Sequence, residues 1–159
     1  MSLLNKTLLA IDPSINKLGV AVFKGRKMVF CSTLTTKLEG DNRYVEITLK
    51  IKELINKVKP DVFAIETQYM SFQSNAAFKI AEVKGICRAL FLSFNSSGQM
   101  IDVGPSEVKK VMGMPGRTKR KEAKILSVQF AKDNFGITVD DNQSDAIGIG
   151  MVALAKIRL

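Results

Sequence analysis

Three short acidic segments hold the side chains best suited to chemistry: Asp12 in LLAIDPS, Glu66 in VFAIETQY, and Asp140, Asp141 and Asp145 in VDDNQSDAIGI. Each sets a carboxylate at or beside an apolar stretch, where an ionised group is unfavourable unless it is paired or binds a cation. Together they read as a divalent-metal site. Magnesium takes hard oxygen ligands in near-octahedral geometry, and a pair of ions stabilises both the attacking and the leaving oxygen of a phosphodiester. Taken singly, each acid has a plainer reading: Asp12 before Pro13 as a turn former, Asp140 and Asp141 as caps of the last helix. Their recurrence on separate elements favours one shared site. The chain carries 24 Lys and Arg against 15 Asp and Glu, a formal charge of +9, which suits a polyanionic partner.

The basic residues are concentrated. Between residues 107 and 124 stand Lys109, Lys110, Arg117, Lys119, Arg120, Lys121 and Lys124, opposed only by Glu107 and Glu122. A charge run by itself is commonly a solvated face; beside an acidic metal site, phosphate binding is the better reading. There is no histidine, which removes the commonest general base and the Ser/His and Cys/His nucleophile schemes. Hydrolysis here would run on carboxylates, lysine and metal. No GxxxxGK(S/T) or GxGxxG is present, so nothing argues for nucleotide-driven chemistry. Cys31 and Cys87 lie in apolar surroundings without metal-ligand spacing and read as buried, reduced thiols.

These side chains need a scaffold. TLLAID (7–12), LGVAVFK (18–24) and KMVFCST (27–33) are apolar runs joined by short turns, the pattern of an antiparallel meander. Asp41 or Asn42 is a candidate cap for a helix over about 43–58, which Pro60 ends. DVFAIE (61–66) is a nearly continuous apolar run, as expected of a strand covered on both faces, with Glu66 at its carboxyl end. Residues 74–95 fit a long helix apolar around most of its circumference, either deep core or part core and part dimer contact. QMIDVG reads as a strand, SEVKKVM as a short helix, GMPGRT as a loop and 119–134 as a basic helix. A last helix opens near Asp141 or Asn142 and runs to about Ile157. The expected fold is α/β, a mixed sheet of three antiparallel and two parallel strands between helical layers, with sites at the strands' carboxyl ends.

With 159 residues and 46% apolar content, one domain over 1–159 is expected, soluble and cytoplasmic. The longest apolar run, AIGIGMVALA, is about half of the roughly 20 residues that span a bilayer, so no membrane partner is expected.

AIDPS, the strand ending in Glu66 with an aromatic three residues on in ETQY, and a terminal helix opening with an acidic DxxDA-like motif resemble the RuvC-type Holliday junction resolvases of the ribonuclease H-like superfamily. The likeness runs in order along nearly the whole chain, and the short, histidine-free form is similar to phage-encoded members, for which the compartment would be the host cytoplasm. It implies Mg2+, with Mn2+ as a substitute, held by Asp12, Glu66 and Asp145. The family's fourth acidic slot falls on Asn142. Either Asn142 ligates through its amide oxygen, or Asp141, at i−4 from Asp145 on one helix face, supplies the charge, or Asn142 replaces a native Asp and disables the site. Lys109 and Lys121 match family lysines near the scissile phosphate, with Lys119 as an alternative for the second. Tyr69 matches an aromatic that stacks on bases at the junction centre, and Gly85 matches a glycine of the dimer-forming helix. The resemblance thus implies a homodimer that nicks two opposed strands of a four-way junction and leaves 5′-phosphates. Alternatives are a broader fork and flap nuclease, or a structure-selective DNA-binding protein impaired at Asn142. The integrase and hybrid-cutting branches are disfavoured by motif order.

Overall fold

A computed structural model describes residues 6–67 and 74–157. The elements run β1 (Thr7–Asp12), β2 (Lys17–Lys24), β3 (Lys27–Thr35), α1 (Asn42–Val58), β4 (Val62–Glu66), α2 (Asn75–Phe94), β5 (Gln99–Val103), α3 (Pro105–Val111), α4 (Arg120–Phe135) and α5 (Asp141–Lys156). The expected order and types hold, and β3 extends two residues beyond its apolar run.

The strands form one sheet in the order β3-β2-β1-β4-β5. β1, β2 and β3 make the antiparallel meander, while β4 pairs parallel to β1 and β5 parallel to β4. Alternation along the strands sorts their side chains onto two faces. Leu9, Ile11, Phe63 and Ile65 face α1 and α2, meeting Ile47, Ile51, Val83, Cys87 and Phe91. Leu8, Ala10, Ala21, Phe23, Val62 and Ala64 face the opposite way, toward Ala146, Ile147, Ile149 and Val152 of α5. Central strands covered on both faces explain the unbroken apolar runs of β1 and β4.

Two local expectations are corrected. Asp41 occupies the N-cap position of α1 but its side chain makes no capping hydrogen bond; its backbone is already helical, which turns the carboxylate away from the first-turn amides. Gly85, which the residues alone would read as a close helix crossing, packs against no other helix of the chain: a Cβ there would meet nothing within 4 Å. It lies instead on an exposed strip of α2 between Phe78 and Leu92, which are 54% and 43% exposed. Cys87 is buried, Cys31 is half-buried, and both are free thiols. No helix among the described residues is long and apolar enough to cross a membrane.

Candidate active site

The alternation that buries Leu8 and Ala10 beneath α5 sends Asp12, two residues on, to the same face at the end of β1. Glu66 follows Val62 and Ala64 in the same way at the end of β4. Ile11 pairs with Ile65, so the two acids occupy the next step of the parallel ladder. α5 crosses this face and contributes Asp145. All three line one cavity of about 320 Å³, whose wall also includes Asp141, Asn142, Lys109, Arg120 and Lys124.

Enclosure and proximity set the electrostatics. Burial holds the Asp12 carboxyl well above the usual range, and the charges of Asp145, Glu66 and Asp141 push it further. Burial, then Asp145, raises Glu66 to about 7. Burial, then Asp141, raises Asp145 to about 6. Among the described residues none of these three takes part in an ion pair. Mutually repelling acids facing one cavity form a donor set that a hard divalent cation would satisfy. Among the described residues, no three Asp, Glu, Cys or His side chains stand close enough together to hold a metal ion.

The acids of the third segment divide their labour. Asp140 is a cap, as its plainer reading has it: its carboxylate accepts the Gln143 amide at 2.8 Å, and the Gln143 side chain accepts the Asp140 amide at 3.2 Å. Asp141 accepts from Lys124 of α4, and that hydrogen bond holds its carboxyl below the ordinary value. Asn142 lines the cavity, and among the described residues its side-chain amide donates one long hydrogen bond, to Asp141 at 3.5 Å. Beneath them the Ser144 hydroxyl joins that of Ser127 at 2.8 Å, a buried link between α5 and α4.

From the basic run, the cavity wall takes the half-buried Lys109 together with Arg120 and Lys124. Lys110 joins Lys109 along an adjoining cavity of about 660 Å³. Arg117, Lys119 and Lys121 are exposed and line neither cavity. Tyr69 lies outside the described residues. One residue escaped the sequence reading: Lys84 of α2, whose charge opposes the rise at both Glu66 and Asp12 and whose own ammonium is pushed down by burial. Its signal was a lone cation between Val83 and Cys87, two buried positions of an apolar helix.

The sequence profile described as crossover junction endodeoxyribonuclease RuvC matches residues 8–153. The crossover junction endodeoxyribonuclease RuvC of Chlorobium phaeovibrioides is 30% identical over 160 residues, covering 93% of this chain and 80% of that protein. The one from Prochlorococcus marinus subsp. pastoris is 27% identical over 154 residues, covering 92% and 95%. Among solved structures, T. thermophilus RuvC in complex with a Holliday junction substrate superposes with a TM-score of 0.71 at 20% identity, covering 93% of this chain and 92% of that one. The fowlpox virus Holliday junction resolvase superposes with a TM-score of 0.59 at 14% identity, covering 95% and 99%. These two structures share the mixed five-stranded fold. The profile match spans both strand-end acids and the α5 segment, and this chain belongs to the crossover junction endodeoxyribonuclease RuvC family.

Proposed function

We propose that this protein is a metal-dependent Holliday junction resolvase, a single domain that acts as a homodimer and nicks two opposed strands of a four-way DNA junction. The observation that carries the reading is the cavity whose wall Asp12, Glu66 and Asp145 share with Lys109, Arg120 and Lys124. Acids there suit cations, and the basic rim suits a phosphodiester backbone.

Asp12, Glu66 and Asp145, with Asp141 or Asn142, would hold Mg2+, or Mn2+ in its place. Such an ion supplies water activation and neutralises charge on the departing 3′-oxygen. Lys109, half-buried on the wall, is placed to hold a phosphate oxygen and oppose charge that grows during hydrolysis. Arg120 and Lys124 fix the register of the backbone, and Lys110, Arg117, Lys119 and Lys121 extend the basic surface around it. Lys119, Arg120 and Lys121 crowd the amino end of α4, where positive side chains oppose the helix dipole. Phosphate docking there relieves that repulsion. Tyr69, three residues past Glu66, is the candidate for stacking on an unpaired base. Products would be nicked duplexes with 5′-phosphates. The exposed α2 strip through Phe78, Gly85 and Leu92 is the candidate dimer contact, and a two-fold dimer matches a substrate that needs two symmetric cuts.

The test is incubation with a labelled four-way junction and a matched linear duplex, in Mg2+ and in Ca2+, beside Glu66→Gln. Paired nicks confined to the junction in Mg2+, lost in Glu66→Gln while junction binding persists, are expected. Equal treatment of junction and duplex would overturn the assignment. Tight junction binding without nicking, restored by Asn142→Asp, would identify a disabled member.

A further inference from the structure

We propose that Gly19, Thr33 and Asp140 form a seat that fixes the first turn of α5 against the sheet, and that this seat sets the cation affinity of the carboxylate site. The proposal rests on the reading of Asp12, Glu66 and Asp145 as metal ligands, and it assigns positioning roles to residues that line no part of the cavity.

Asp12 pairs with Gly19, and Gly19 pairs with Thr33. These three positions therefore form one row across the meander at its site end, and alternation points all three toward α5. The first turn of α5 lies over this row and touches the sheet at two points, besides its Lys124 and Ser127 ties to α4. The Asn142 carbonyl packs directly on Gly19: a Cβ there would stand 1.9 Å from that oxygen and 2.5 Å from its carbon. The Thr33 hydroxyl donates to both carboxylate oxygens of Asp140, at 2.9 and 2.7 Å. The same carboxylate caps the helix through the Gln143 amide. The two anchors fall at residues 140 and 142, bracketing Asp141, and the second stands within one turn of Asp145.

The anchors act where the rest of the helix does not. The body of α5 is fixed by buried Ile147, Ile149, Val152 and Ala153, whereas Asp140 is exposed and Asp141 and Asn142 are half-buried. The opening turn's other ties, Lys124 to Asp141 and Ser127 to Ser144, run sideways to α4, and apolar packing does not hold it down onto the sheet. A carbonyl on a glycine fixes its height above the sheet, and a hydroxyl gripping the cap fixes its position along the row. Since Asp12 belongs to that row, the seat sets how far Asp145 stands from Asp12. A methyl group at position 19 would lift the turn by roughly 1.5 Å to restore ordinary contact.

Four variants test this, with Mn2+ binding measured by calorimetry on the full chain without DNA and junction nicking measured across Mg2+ concentration. Thr33→Val should weaken Mn2+ about tenfold, and Thr33→Ser, which keeps the hydroxyl, should restore it. Gly19→Ala should lower the nicking rate at saturating Mg2+ about a hundredfold, as expected for a displacement above 1 Å. Gly150→Ala is the packing control: its Cβ would meet the Phe23 ring at 2.2 Å in the body of the same helix, so it should lower the melting temperature and leave Mn2+ affinity unchanged. Wild-type Mn2+ affinity in Thr33→Val, or loss in Gly150→Ala equal to that in Gly19→Ala, would overturn the seat while leaving the metal reading intact. A wild-type protein that binds no Mn2+ would overturn the metal reading and the seat with it. The Thr33 pair decides the matter whether or not Gly19→Ala folds.

Discussion

Replacing Glu66 by Gln should make the metal-free protein more stable at alkaline pH, although it removes a candidate catalytic group. The Glu66 carboxyl sits at about 7 against an ordinary 4.5, through burial first and Asp145 second. A carboxyl raised on folding leaves the native state holding a proton that the unfolded chain has released. The resulting penalty is absent below about pH 4.5, grows between the two values and is complete above about pH 7. At about 1.4 kcal/mol for each tenfold change in the protonation equilibrium, that penalty reaches about 3 kcal/mol. Gln is close in shape and carries no charge, so Glu66→Gln escapes the penalty. For 159 residues, about 3 kcal/mol corresponds to about 6–12 °C in melting temperature.

Thermal melts in EDTA at pH 5 and pH 8.5 measure this directly. Glu66→Gln should melt close to wild type at pH 5 and well above it at pH 8.5. Excess Mg2+ should then shrink or invert the difference, because a ligand at a hundred times its Kd stabilises wild type by about 2.7 kcal/mol. A gap of the same size at both pH values, or a less stable Glu66→Gln in EDTA at pH 8.5, would refute the account of the cavity as a nest of repelling charges.

Lys84→Met should show the opposite sign, a melting temperature lowered in EDTA at pH 8.5 and little changed at pH 5, because it strips a compensating charge from Glu66 and Asp12. Asn142→Asp should reduce the Mg2+ concentration needed for half-maximal nicking, while lowering metal-free stability at pH 8.5; titration of rate against Mg2+ and the same melts check both. Arg120→Ala should lower the slope of log junction affinity against log salt by about 1, measured by anisotropy across a salt series. Gly85→Glu, facing open space in the single chain, should leave the fold intact by circular dichroism and turn a dimer into a monomer in sedimentation velocity.

Much of the framework was legible because its signals are local. The unbroken apolar runs of β1 and β4, read with the acids that end them, specified both strands and the carboxyl ends at which Asp12 and Glu66 stand. What stayed illegible depends on distant partners or on helical phase. In VDDNQSD an acid that caps and an acid that faces a cavity look alike, and only Thr33 on β3 and Lys124 on α4 separate Asp140 from Asp141. Successive residues of a helix point about 100° apart, so a small shift in where α4 begins exchanges Lys119, Arg120 and Lys121 around its circumference. Arg120 faces the cavity because α4 starts there, after a loop whose length the sequence pattern does not fix. Gly19 reads as an ordinary small residue in an apolar strand until α5, more than a hundred residues later, is laid across it.

The placement of the acids also explains why their repulsion persists. β1 and β4 are central strands whose side chains are almost wholly buried on both faces, so Asp12 and Glu66 cannot separate without breaking the parallel ladder beneath them. Asp145 rides on a helix whose following turns are locked into the same core. Were these carboxylates on loops, they would swing apart in the absence of a cation, and binding would have to gather them again at an entropic cost. Held on strands and a helix, they bear the repulsion in the folded protein instead. On the metal reading proposed above, a divalent cation would relieve it on arrival, so tight cation binding and low metal-free stability above pH 7 should go together as two consequences of one geometry. Substitutions that neutralise an acid should therefore stabilise the fold in the same pH range in which they weaken cation binding.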